Sequence, residues 1–230
     1  VSAQVTALGL VFNVLSEGGV SMTQGMLIGS AVVLAYTLFG GMWSVAVTTC
    51  VQMVIIVIGL VLVTSTASEM AGGMSGVLSK AAAEGKFEWL PSLDLVDMLS
   101  WLAALFTMAL GSIPQQDVFQ RVNTSKNESV AVWATTFGGI AYFLFAAVPL
   151  YLAYSASMID PVQTDLLMQQ DSQLVLPTFV LTHMPFWLQA VFFGALLSVI
   201  MSTASSTLLA PSVTFTENVL KNFRPNMSDA

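Results

Sequence analysis

Ser198, Ser202, Thr203, Ser205, Ser206 and Thr207 crowd their hydroxyls into one stretch of an apolar run that begins near Phe186. A lipid-facing helix at that depth carries hydrocarbon, so these oxygens need a use. At helical spacing, Gly194, Ser198, Ser202 and Ser205 or Ser206 form a stripe of small residues, which lets a second helix approach closely in a membrane. On pattern alone that is the commoner use. The adjacent Ser202 and Thr203 hydroxyls, with a neighbouring backbone carbonyl, offer a second chemistry. They are neutral oxygen ligands of the kind a small hard cation such as sodium accepts.

A second group of polar residues interrupts another apolar run. The stretch from Leu99 to about Leu110 reads as a span, and Gly111, Ser112, Ile113 and Pro114 then break it. Proline removes a helical hydrogen bond, and glycine tolerates unusual dihedrals. Gln115 to Val122 reads as helical again, so a discontinuous helix near 111–116 is expected. Backbone groups left unpaired in hydrocarbon cost on the order of 2–7 kcal/mol each, so such a break survives beside a cavity, an ion or a buried partner. A plain proline kink is the simpler reading. The clustering of Ser112, Gln115 and Gln116 at the break favours a binding role.

These residues are positioned by an all-α, polytopic membrane architecture. Only 8% of the 230 residues are charged and 56% are hydrophobic, with a mean hydropathy of +0.81. Soluble domains carry roughly a quarter charged residues. The net charge of -7 reflects a few loop carboxylates against six cations, and no basic footprint for nucleic acid is present. Cys50 stands alone, so neither an intrachain disulfide nor a cysteine metal cluster can form, and it reads as a small buried hydrophobe.

In order, Val1–Leu15 reads as the end of a first helix, closed by Ser16 to Gly19. Spans follow from Thr23 to Phe39, closed by Gly40 and Gly41, and from Trp43 to Val63. Thr64 to Asp97 is a polar connector, with a short surface helix expected at 81–86. A fifth span runs from Val130 to Tyr154. Asp160–Gln173 forms a second connector, 174–182 a short surface or re-entrant helix, and Phe186 to about Phe215 the last span. Arg121, Lys126, Lys221 and Arg224 fall on one side of the alternating spans, which places that side in the cytoplasm. The short first span, and an opening without methionine or a charged flank, suggest part of a longer membrane protein. His183 beside Pro185 reads as interfacial, and Asp117 either lines an inner exit path or, more commonly for such spacing, pairs with Arg121 four residues on. Sequons at Asn123, Asn127 and Asn226 fall on the cytoplasmic side and read as chance.

Three segments, in order, resemble the sodium:solute symporter family. Pro114, Gln116, Gln120 and Arg121, followed by Ser125 and Lys126, resemble its Pro-x-Gln-x-x-x-Gln-Arg segment. Gly40, Gly41, Val45, Thr48 and Gln52 resemble its Gly-Gly-x-x-x-Val-x-x-Thr-Asp-x-x-Gln segment, and Met201, Ser202 and Thr203 its Met-Ser-Ser/Thr. The resemblance implies a LeuT-like inverted five-helix repeat. Residues 1–65 would be the last three helices of the first repeat and 66–98 an extracellular connector. Residues 99–220 would supply the first three helices of the second repeat, and 221–230 a cytoplasmic tail. The function implied is sodium-coupled symport of a small polar organic solute across the plasma or inner membrane. Its partners would be sodium, the solute, the bilayer and the rest of the full-length chain, with no organic cofactor and no enzyme activity. Sodium would be held by the Val199 carbonyl with Ser202 and Thr203, and substrate by Gly111, Ser112, Gln115 and Gln116.

Two departures narrow the reading. Thr49 stands where the family pattern has aspartate, so Ser205 and Ser206, the secondary candidates, lack an anionic partner and one sodium is expected. The Gly-Ser-Ile-Pro stretch is closest to the choline branch, yet Gln115 takes the place of a tryptophan suited to a quaternary ammonium. A sugar is disfavoured, because Gly111 and Ser112 supply no aromatic surface. Two rival classes are weaker. An intramembrane serine hydrolase lacks a base near its serine and a nucleophile turn, and a passive channel lacks a charged ring or repeated pore motif.

Overall fold

The computed structural model describes residues 2–88, 90–111, 113 and 115–223, with backbone only for 40–42, 44, 116 and 117. The readings at Ser112, Pro114, Arg224 and the Asn226 sequon lie outside the described residues, as does the Asp117 side chain. Among the described residues every regular element is helical: α1 (Ser2–Leu15), α2 (Met22–Met70), α3 (Gly73–Ala83), α4 (Leu95–Gly111), α5 (Gln116–Asn123), α6 (Glu128–Ile159), α7 (Pro161–Gln170), α8 (Val175–His183), α9 (Phe186–Phe215) and α10 (Lys221–Phe223). Four stretches among them are long and apolar enough to cross a bilayer: Met22–Phe39, Val45–Met70, Glu128–Ile159 and Phe186–Phe223.

The chain forms two compact units, one of residues 1–67 and 148–230, the other of residues 68–147. In the first, Leu8 of α1, Val33 and Val63 of α2, Leu152 of α6, Val180 of α8 and Phe193 of α9 share one core. The turn into α2 is built by a reciprocal cap. The Gln24 amide N–H donates to Ser21 Oγ at 3.3 Å, and the Ser21 N–H donates to Gln24 Oε1 at 3.0 Å. Asp160 caps α7 by accepting from the Gln163 N–H at 3.1 Å, ahead of Pro161 at the first helical position.

Gly40 and Gly41 do not interrupt the helical backbone as the sequence suggests, because α2 runs through them for 49 residues. Straight, that helix would measure about 75 Å, more than twice a hydrocarbon core. It is not straight. Tyr36 and Thr49, about 20 Å apart on an ideal helix, both hydrogen-bond one turn of α9, at Met201 and Ser202. The axis therefore turns between them, and the glycine pair lies in that interval.

The surface helix expected at 81–86 is displaced. It starts at Gly73 and stops at Ala83, where the Lys86 N–H bonds the Ala81 carbonyl at 3.0 Å and the Gly85 N–H the Ala82 carbonyl at 3.1 Å. Gly85 at φ +69° takes the left-handed position this terminator needs. Cys50 is exposed rather than buried, since it lies on the outer face of α2 while its neighbour Thr49 faces α9. In the second unit, α4 buries none of its residues, and its exposed Leu105, Phe106 and Leu110 suit hydrocarbon.

Candidate functional site

The α9 helix forms where the sequence places it because Pro185 opens it and an apolar run sustains it. Its hydroxyls pair back onto the helix. Thr203 Oγ1 donates to the Val199 carbonyl at 2.9 Å. Ser205 Oγ and Ser206 Oγ both donate to the Ser202 carbonyl at 2.9 Å, and Thr207 Oγ1 donates to the Thr203 carbonyl at 2.9 Å. A hydroxyl whose proton is spent on a carbonyl still has lone pairs to offer. For Thr203 they lie on the exposed side of α9, beside exposed Val199.

Ser202 differs from its neighbours. Its Oγ lies 3.0 Å from Thr49 Oγ1 of α2. Thr49, expected to face Ser205 and Ser206, thus meets the residue one turn earlier. Tyr36 donates its hydroxyl to the Met201 carbonyl at 2.8 Å. Ser205 and Ser206 are buried, at 1% and 6% exposure, so the small side chains serve packing as well as polarity. Gly194 does not share that packing: an added Cβ there meets nothing within 4 Å. The close approach comes instead at Gly59 of α2, where a Cβ would lie 3.2 Å from Ala195 Cβ and from Val191 Cγ1.

The expected discontinuity is present in the second unit. α4 ends at Gly111 and α5 begins at Gln116, with Gln115 extended between them at φ −68°, ψ 118°. The Gln115 side chain makes no capping bond and is exposed. Gly111 is exposed, with open space around its Cα. Gln116 supplies the first backbone position of α5, so the carbonyl end of one helix and the N–H end of the next flank the break.

Sequence reasoning singled out Ser202, Thr203 and Thr49 and missed Tyr36. The only available signal was a tyrosine four residues before a glycine pair, which does not name its partner.

An all-helical membrane protein with a polar seam between two apolar helices and a helix broken at its polar residues is the class this geometry defines. The sodium:solute symporter family model matches residues 1–230, and the chain belongs to that family, one of transporters rather than enzymes. The chain is similar to the high affinity choline transporter 1 of Homo sapiens, at 32% identity over 99% of this chain and 40% of the relative. It is similar to the high-affinity proline transporter PutP of Bacillus subtilis (strain 168), at 28% identity over 100% of this chain and 47% of the relative. The sodium/proline symporter of Staphylococcus aureus is 29% identical over 91% of this chain and 40% of its own length. The chain thus spans less than half the length of these relatives. No solved structure matches it.

Proposed function

We propose that the full-length protein couples sodium entry to uptake of a small polar organic solute across the plasma or inner membrane, with Val199, Ser202 and Thr203 supplying part of one sodium site. The observation that carries this reading is the arrangement of the α9 turn. Thr203 Oγ1 has given its proton to the Val199 carbonyl, and Ser202 Oγ has a hydroxyl partner able to accept its proton. Both oxygens can then turn lone pairs toward a cation. The remaining ligands come from elsewhere in the full-length chain, and no organic cofactor is needed.

In this reading residues 1–65 close the first of two inverted repeats, 66–98 form an extracellular connector, 99–220 open the second repeat, and 221–230 lead into the cytoplasm. The break between Gly111 and Gln116 contributes the substrate contacts, with Ser112 and the Gln115 amide as polar partners. Sodium favours the substrate-competent conformation by binding it more tightly than the alternative, so substrate must tighten sodium binding in return. Thr49 stands where the family pattern has aspartate and meets Ser202 rather than Ser205 or Ser206, so that position supplies no carboxylate and one sodium accompanies each solute.

The test is uptake into proteoliposomes holding the full-length protein, with choline, proline and other small polar solutes as probes. A sodium gradient should drive accumulation of at least one of them, with a Hill coefficient for sodium near one. Thr203→Ala should weaken sodium activation far more than it lowers expression. Flux indifferent to the sodium gradient, or sodium activation unchanged in Thr203→Ala, sinks the assignment.

A further inference from the structure

The sodium-bearing turn of α9 is held from outside by a residue no motif contains. Tyr36 reaches from the first apolar half of α2 and donates its hydroxyl to the Met201 carbonyl at 2.8 Å, across 165 residues of sequence. That carbonyl immediately precedes Ser202. From the other half of α2, beyond the bend, Thr49 holds Ser202 itself at 3.0 Å. Two separated points on one helix therefore grip consecutive residues of another. In an apolar surround a donated hydrogen bond has no water to compete with it, so the grip restrains both the axial position of the turn and its rotation.

We infer that Tyr36 is a positioning residue for sodium binding: its hydroxyl fixes the Met201 carbonyl so that Ser202 and Thr203 stand ready as ligands before the ion arrives. This rests on the sodium reading above. An unrestrained turn must be ordered when sodium binds, and that ordering is subtracted from affinity, whereas a braced turn has already been ordered in folding. A turn of the axis between Tyr36 and Thr49 is what allows both α2 contacts to converge, so the brace follows from the helix's path.

The test measures equilibrium binding of radioactive sodium to purified full-length protein, which needs no knowledge of the solute. Tyr36→Phe removes one oxygen and keeps the ring, and should raise the half-saturating sodium concentration about three- to tenfold. Thr49→Val should act in the same direction. Thermal unfolding is recorded for each variant. A lowered unfolding temperature with sodium affinity unchanged in Tyr36→Phe means a purely structural bond and overturns the inference. Ser202→Ala and Thr203→Ala serve as the reference. If these leave sodium binding intact, the sodium reading fails and takes the brace with it; if they weaken binding while Tyr36→Phe does not, the brace alone fails.

Discussion

Thr49 Oγ1 of α2 and Ser202 Oγ of α9 lie 3.0 Å apart, joining the position where the family pattern places a carboxylate to a candidate sodium ligand. The pair is neutral. A carboxylate at membrane depth demands a counter-cation or a proton, whereas two hydroxyls satisfy each other at little cost. Either hydroxyl can donate in this pair; when Ser202 donates to Thr49, both of its lone pairs are left for a cation, and when it accepts, one is.

Restoring the carboxylate should therefore change stoichiometry. In Thr49→Asp an anionic oxygen joins Ser202, Ser205 and Ser206, whose side chains lie within one turn of α9. The expected result in proteoliposomes is a sodium Hill coefficient that rises from near one toward two. An unchanged coefficient, with transport retained, would show that this seam does not admit a second ion.

Helix crossings in this protein depend on particular glycines. A Cβ on Gly9 would lie 2.6 Å from the Met22 carbonyl oxygen, and one on Gly25 would lie 2.8 Å from Phe12 Cβ and 3.1 Å from Gly9 Cα. At this α1–α2 crossing the Met26 side chain beside Gly9 can yield, but the Met22 carbonyl and the Gly9 backbone cannot. Gly9→Val or Gly25→Val should destabilise the protein by about 1–3 kcal/mol through overpacking. Gly194→Ala, facing open space, should be neutral, and unfolding in detergent compares the three directly.

The apolar helices were readable from their runs and breakers; α7, inside the stretch read as a polar connector, was not, and neither was tertiary partnership. The bounds of α9 follow from Pro185 and the run after it, and the break after Gly111 follows from glycine and proline chemistry. The Gly40 and Gly41 pair was read as closing a span, whereas the helical backbone runs through it. Of the polar seam, the α9 hydroxyls were legible because they contradict their apolar surround. Tyr36 was not, since its environment is set by a residue 165 positions away. Cys50 was misplaced for a related reason: an all-round apolar helix carries no amphipathic signal to say which face is buried.

The α8–α9 corner depends on one amide. Gln189 Nε2 donates to the Leu181 carbonyl at 3.0 Å and to the Met184 carbonyl at 2.8 Å, satisfying acceptors at and just past the end of α8. Gln189→Leu keeps the volume and deletes both bonds. It should cost about 1–3 kcal/mol, and hydrogen exchange should quicken in 175–184 before it does in the buried part of α9. Protection unchanged in α8 would mean that its packing alone holds the corner.

In the proposed reading the Gln115 amide is a substrate contact. It is exposed in an extended segment between two helix ends and is not consumed in capping α5. An exposed side chain that makes no capping bond contributes little to folding, so removing it should leave stability nearly unchanged while weakening recognition. Gln115→Ala should raise the half-saturating concentration of the transported solute about two- to tenfold, the loss of one neutral hydrogen bond, with sodium binding to the substrate-free protein unaltered. Gln115→Trp replaces the amide with an aromatic face, which attracts quaternary ammonium groups. It should improve choline competition against the solute and impair the solute itself. If Gln115→Ala transports with an unchanged half-saturating concentration, recognition lies with the backbone of the break and not with this amide.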